Sequence, residues 1–344
     1  LVGLGEQAVA GQPAGAAVVS NGNQQMTFVF AAGNAGYGQQ TVGSPGTAKN
    51  VITAGAAENV RSHSSTNGGN ASSGLAGDDG CLTPDSEADN INDVASFSSR
   101  GPCLDLRRKP ELQAPGTHIT GGVAQQNKTM AGTGDDLACF TAEGVCGLPT
   151  NVVGTIGKFF PTGQQFYSTS SGTSHSTPAI AGGAALVYQW FINQFGQPPS
   201  PAMIKAYLVA AARYMNGAGA NDTLPSNSQG FGLMDLGFAF DPTPRLLRDQ
   251  VTNELFTASG QTRTYVGVIA SNSRPVRVTL TWTDAPGSTS GNAYNNDLDL
   301  VVSCNGRVYH GNVFSGALSV AGGSADPRNN TESVFLPAGT TGAV

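Results

Sequence analysis

Hydrophobic and polar positions along the 344-residue chain fall into two textures. In the first, continuous apolar runs alternate with helix-period stretches. Met26–Ala32 (MTFVFAA) and Val51–Ala56 (VITAGA) are strand-length runs without internal alternation, as expected of strands buried on both faces of a parallel sheet. Ser174–Phe195 reads as a helix stopped by Gly196, Pro198 and Pro199. Pro201–Met215 reads as a second. Ser200 suits its N-cap, Pro201 its first position, and Met203, Ile204, Tyr207, Leu208 and Ala211 give one apolar face. Residues 1–25 read as a small-residue helix or loop leading into a strand. Residues 57–95 and roughly 123–165 are polar, without period, and read as long surface loops. The texture changes after residue 241, where Pro242 and Pro244 mark a linker. Beyond it come alternating segments at Thr264–Ala270, Val276–Thr283, Leu298–Cys304 and Ser333–Leu336, with no helical pattern between them. The expectation is an α/β unit over 1–241 followed by an antiparallel β unit, a jelly roll or sandwich, over 250–344.

Composition narrows this picture. Charged residues make up only 12%, Gly contributes 47 residues, and apolar residues reach 39%, which fits a loop-rich extracellular fold with a real core. Net charge is -6 and the densest basic cluster is Arg107, Arg108 and Lys109, so nucleic-acid binding has no electrostatic footprint. No apolar run approaches the roughly 18 residues of a membrane helix, and no membrane partner is expected. The chain starts at Leu1 without a signal peptide and stops after Pro337-Ala338-Gly339, so both ends read as truncated. Of five cysteines, Cys139 and Cys146 flank a short loop and could close it, Cys81 and Cys103 could pair, and Cys304 is left over. Sequons at Asn70, Asn127, Asn221 and Asn329 fit secretion.

The sharpest local signal is Ser170-Ser171-Gly172-Thr173-Ser174-His175-Ser176-Thr177-Pro178. Gly172 permits a tight turn into the helix, and Ser174 falls in the first helical turn. Unpaired N–H groups and the positive helix end there favour developing negative charge, which is what a nucleophilic serine needs. Ala179, Ala181, Gly182, Gly183, Ala184 and Ala185 let the helix lie close under a sheet.

Gly172-Thr173-Ser174-x-x-Thr177-Pro178, followed by Ile180-Ala181-Gly182, resembles the nucleophile signature of the subtilisin-like proteases. Phe30-Ala31-Ala32-Gly33-Asn34-Ala35-Gly36 resembles that family's oxyanion segment, which implies Asn34 as a donor to the oxyanion. Phe97-Ser98-Ser99-Arg100-Gly101-Pro102, Lys109-Pro110-Glu111-Leu112 and Ala114-Pro115-Gly116 also match in order. So does Gly43-Ser44-Pro45-Gly46-Thr47-Ala48-Lys49-Asn50-Val51-Ile52. By resemblance that last stretch carries a cis Ser44–Pro45 bond, and Gly33, Gly43 and Thr173 face the substrate. Trp282-Thr283-Asp284-Ala285-Pro286, Asn296-Asp297-Leu298-Asp299-Leu300-Val301 and Asp326-x-Arg328-Asn329-Asn330 are similar to a subgroup with a calcium-binding β-barrel domain, which includes oxidatively stable alkaline proteases. That likeness implies structural Ca2+ on Asp299, Asp326 and Asn330, with Asp297 and Asp284 as further ligands. Asx-turn roles are the bland alternative for each.

The resemblance implies a subtilisin-like fold, an endopeptidase acting on protein or peptide substrates, and a monomer. It also implies a triad in the order Asp, His, Ser. The 33 residues before Asn34 contain neither Asp nor His, so both partners are expected upstream and the chain alone is expected inactive. His175 adjoins Ser174 and cannot face it on a helix. His63, His118 and His310 read as surface or loop histidines. A pseudoprotease or extracellular binding module is the alternative. An esterase needs G-x-S-x-G, which Gly172–Ser176 does not provide.

Overall fold

The computed structural model describes residues 2–7 (as backbone), 26–63, 77–79, 81–122, 166–288 and 290–344. A parallel three-stranded sheet, in the order β2-β3-β4, is built from β2 (Val29–Ala31), β3 (Ile52–Ala57) and β4 (Leu112–Pro115). Every residue of β3 is buried, as its unbroken apolar run requires. Helix α1 (Thr173–Phe195) packs against this sheet, and α2 (Pro201–Ala211) packs against α1. Ile52, Leu112, Ile180, Val187, Met203 and Tyr207 meet in one core.

Ser200 caps α2 by accepting the Met203 N–H at 3.0 Å, with Pro201 at the first position. The helix stops at Ala211, short of the expected Met215. Ala212 turns extended (ψ 144) and Arg213 pairs with Leu233 in a β-bridge, so a tertiary partner takes the chain out of the helix.

A second sheet has the order β13-β8-β1-β7. β1 (Val2–Gln7) runs parallel to both β7 (Leu246–Asp249) and β8 (Val276–Thr283), and β13 (Thr331–Leu336) is antiparallel to β8. Residues 2–7 are therefore a strand, not a helix or loop, and they share a sheet with the C-terminal texture. The remaining pairs are antiparallel: β5 (Ile119–Gly122) with β6 (Tyr167–Ser170), β9 (Val301–Cys304) with β10 (Arg307–His310), and β11 (Phe314–Ser315) with β12 (Leu318–Ser319). Helix α3 (Leu236–Ala239) is a single turn capped by Asp235. Among the described residues the C-terminal strands make small pairs, and the two facing sheets of a jelly roll are not assembled from them. Thr264–Ala270 alternates as expected, with Tyr265 and Ile269 packed on the core of Val278, Leu280, Trp282 and Val334. It pairs only through the bridge Val268↔Ala343 and is not a strand.

Lys49 joins the two textures. Its ammonium donates to Asp284 Oδ2 at 2.7 Å and to the carbonyls of Ala285 and Ala293, both at 2.6 Å. Asn50 and Asp284 add a reciprocal pair, side chain to backbone, at 2.7 and 2.9 Å. The Lys49 side chain is 10% exposed and that of Asp284 0%, so removing the ammonium leaves a buried carboxylate without its countercharge. Lys49→Met is expected to cost about 3 kcal/mol, read as a lowered midpoint in chemical denaturation.

Glu332 on β13 is fully buried. Its Oε2 accepts the Leu300 N–H at 2.7 Å, while Oε1 has no partner among the described residues. Burial pushes its pKa from 4.5 up to about 9, with Asp326, Asp299 and Asp297 acting in the same direction. The folded protein therefore keeps a proton that the unfolded chain releases. The stability this represents is complete below 4.5 and is lost as pH rises toward about 9. Thermal midpoints measured from pH 5 to pH 9 are expected to fall, and Glu332→Gln to flatten the fall.

Candidate active site

Asn34 follows β2 on a loop that only glycine can begin. Gly33 has φ +108, and a Cβ there would press on Ser99 Oγ at 3.0 Å. The block containing Ser99 holds this loop in place. Ser99 donates its N–H to Gly33 O at 2.9 Å, Ser99 Oγ accepts from Ala35 N at 3.0 Å, and Gly36 N donates to Phe97 O at 2.8 Å. Two motifs more than sixty residues apart thus form one unit. Beside it, Gly43 donates its N–H to Ala32 O at 3.0 Å. Gly43 is exposed, and nothing lies within 4 Å of where its Cβ would stand. Ser44–Pro45 is cis.

The nucleophile turn connects β6 to α1. Gly172 has φ +152 and donates its N–H to Gly116 O at 2.8 Å. A Cβ on it would stand 3.3 Å from Asn34 Nδ2. Thr173 donates both its N–H and its hydroxyl to Asn34 Oδ1, each at 2.9 Å. These two bonds fix the amide so that its oxygen is occupied and its Nδ2 donor lies beside Gly172. Ser174, second residue of the helix, is exposed, as is Asn34. Among the described residues neither the hydroxyl nor the N–H of Ser174 has a hydrogen-bond partner. The site therefore offers an exposed hydroxyl, two unengaged N–H donors and the positive end of a 23-residue helix.

A model of the Subtilase family matches residues 4–232, more than half of the chain. The chain belongs to the subtilase family. It is 32% identical over 159 residues to "Serine protease AprX" of Bacillus subtilis, covering 46% of this chain and 25% of that protein. It is 26% identical over 304 residues to the "Serine protease/ABC transporter B family protein tagB" of Dictyostelium discoideum, covering 72% and 15%. The chain thus spans a quarter or less of the length of these curated relatives. Among solved structures it resembles fervidolysin from Fervidobacterium pennivorans over 91% of this chain and 31% of that one, at 18% identity and TM-score 0.35. That likeness is too low to argue from.

This subtilase departs from the sequence expectations at two further places. First, His63 and His118 are not surface residues: they are 2% and 0% exposed, with ring centroids 4.4 Å apart. Burial, with the neighbouring His118 and Arg61, brings the His63 pKa down to about 4. His63 lies in and His118 beside stretches without periodicity, which concealed their burial. His175 turns its Nε2 to Ser170 Oγ at 2.5 Å, and burial lowers its pKa, while His310 is half-buried.

Second, Cys81 is disulfide-bonded and Cys103 is a buried free thiol, so these two do not pair. Cys139 and Cys146 lie outside the described residues, and Cys304 is free and buried.

Of the five residues expected to bind calcium, Asp284, Asp326 and Asn330 have protein partners. Asp284 accepts from Lys49, Asn295 and Asn296, and Asp326 accepts from Asn312, Arg328 and Asn329. Asn330 Nδ2 donates to Trp282 O and Asn50 Oδ1. Asp297 and Asp299 are exposed. Among the described residues no group of three or more His, Cys, Asp and Glu is placed to hold a metal. Lys49 and N–H donors occupy Asp284, and the N–H donors of Arg328 and Asn329 on Asp326 match the Asx-turn alternative for that residue. Asn329, read as a sequon, has its side chain bonded to Arg108 N and Asp326.

Gly172→Ala is expected to destabilise the subtilase by about 1–3 kcal/mol, since an L-residue is strained at this φ and its methyl crowds Asn34. Denaturant unfolding of both proteins checks it.

Proposed function

We propose that the protein containing this chain is a secreted serine endopeptidase that cleaves protein or peptide substrates through an acyl-enzyme on Ser174. The observation that carries the reading is the fixed Asn34 amide. With Oδ1 held twice by Thr173, Nδ2 and the Ser174 N–H are left as two donors beside one unengaged hydroxyl. Ser174 Oγ attacks the scissile carbonyl, and a base supplied from outside the described residues takes its proton. The carbonyl oxygen becomes an oxyanion between Asn34 Nδ2 and Ser174 N–H. These donors are already oriented, so little reorganisation opposes the step. The amine departs with a proton, and water releases the acid from Ser174. Open space above Gly43 receives the side chain that precedes the scissile bond. AprX, named a serine protease, supports this reading by its 32% identity over 159 residues. Among the described residues no helix is long and apolar enough to cross a membrane.

One observation favours a second reading, a pseudoprotease: among the described residues no base reaches Ser174. In the protease reading residues 1–344 alone are inactive and the full-length protein is active. Full-length wild type is expected to react with a fluorophosphonate at Ser174 and to hydrolyse casein, and Ser174→Ala to do neither. Asn34→Ala is expected to lower kcat about 100- to 1000-fold, the magnitude established for such a donor on subtilisin itself, and to cost about 1–3 kcal/mol of stability because buried Thr173 loses its acceptor. A wild type that neither labels nor hydrolyses sustains the pseudoprotease reading.

A further inference from the structure

The polar segment behind the nucleophile closes a hydrogen-bond circuit that the mechanism does not use. Ser171, three residues before Ser174, donates its hydroxyl to Asp79 Oδ2 at 2.5 Å and accepts the His118 backbone N–H at 2.9 Å. Asp79 Oδ1 accepts from Cys81 N at 2.8 Å and Thr83 N at 3.4 Å. Thr83 O in turn accepts from Asp79 N at 3.1 Å and lies 2.9 Å from His118 Nε2. The other ring nitrogen of His118 lies 2.6 Å from Arg61 O. Asp79 is 1% exposed, and Cys81, whose N–H it holds, is anchored by a disulfide.

Three consecutive residues of the turn are thus pinned from three directions: Ser171 by Asp79 and His118, Gly172 by Gly116 O, and Thr173 by Asn34. Only the third of these pins belongs to the reacting groups. Ser171 sets the direction in which the chain enters Gly172, and Gly172 sets where the Ser174 hydroxyl and N–H stand relative to Asn34. An unpinned Ser171 leaves that entry free to vary at the scale that matters for attack geometry.

We propose that Asp79 is a positioning residue for Ser174, acting through the Ser171 hydroxyl, so that the contacts of Asp79 with Cys81 and Thr83 serve as a rear support of the nucleophile turn. The inference rests on the protease reading above. It predicts that Asp79→Ala and Ser171→Ala in the full-length enzyme each lower kcat about tenfold to a hundredfold, with KM for a peptide substrate unchanged. The double variant should be no slower than the worse single one, because both remove the same link. Ser171→Thr, which keeps the hydroxyl, should restore turnover. Fluorophosphonate labelling rates at Ser174 should follow kcat. A reactive wild type whose Ser171→Ala variant keeps full kcat, or whose two single effects multiply, overturns the proposal alone. A wild type that is unreactive overturns the protease reading and the proposal with it.

Discussion

Glu111 is the charge around which the α/β unit is arranged. It is buried, and its Oε1 receives Lys109 at 2.6 Å and Lys205 at 2.7 Å while Oε2 receives the Thr53 N–H at 2.7 Å. Burial alone would raise its pKa; the two ammonium groups outweigh that and hold it below the ordinary value. Lys205 also reaches the carbonyls of Lys49 and Val51, both at 3.2 Å. One carboxylate therefore sets β3, the approach to β4 and helix α2 in register at once. A buried charge with partners on three segments tolerates no slippage, because any shift strands an ion in a medium that cannot solvate it. The loop bearing Asn34 hangs from β2, which pairs with β3. The Gly116 carbonyl that receives Gly172 follows β4.

On that frame the exposed site is held rigid by backbone bonds more than by packing. Asn34 and Ser174 both face solvent, so no apolar contact orients them. Their orientation comes from Ser99, Thr173 and Gly116 through hydrogen bonds to main-chain groups, each of which fixes direction as well as distance. Substrate access and preorganisation are thereby obtained together.

The motif blocks were readable in the sequence because each has local chemistry. Gly172 and Ser174 carry steric and helix-end requirements of their own, Gly33, Asn34, Ser99 and Thr173 were legible through the resemblance to subtilisin-like proteases, and the structure brings these six together. The strands β3 and β8 and the Ser200 cap were readable for the same reason. What stayed hidden was pairing across distance. Asp284 looks like a cation ligand in its own segment, and its cation is Lys49, 235 positions away. Asp79 sits in a stretch without period, and nothing nearby in sequence points to Ser171, 92 positions on. Residues 2–7 give no hint that they lie between β7 and β8, since a parallel neighbour leaves no turn signal.

Lys49 gives the joint between the two textures a property that a bound ion could not. Its ammonium is one end of a covalent side chain, so its effective concentration at the oxygens of Asp284, Ala285 and Ala293 is set by tether length and not by the medium. Such a joint opens and recloses within one chain, so its occupancy does not depend on the concentration of any free ion. Dilution and chelation act on free ions and find nothing here to remove. The two units are therefore coupled from the moment the chain folds, in any compartment the protein enters.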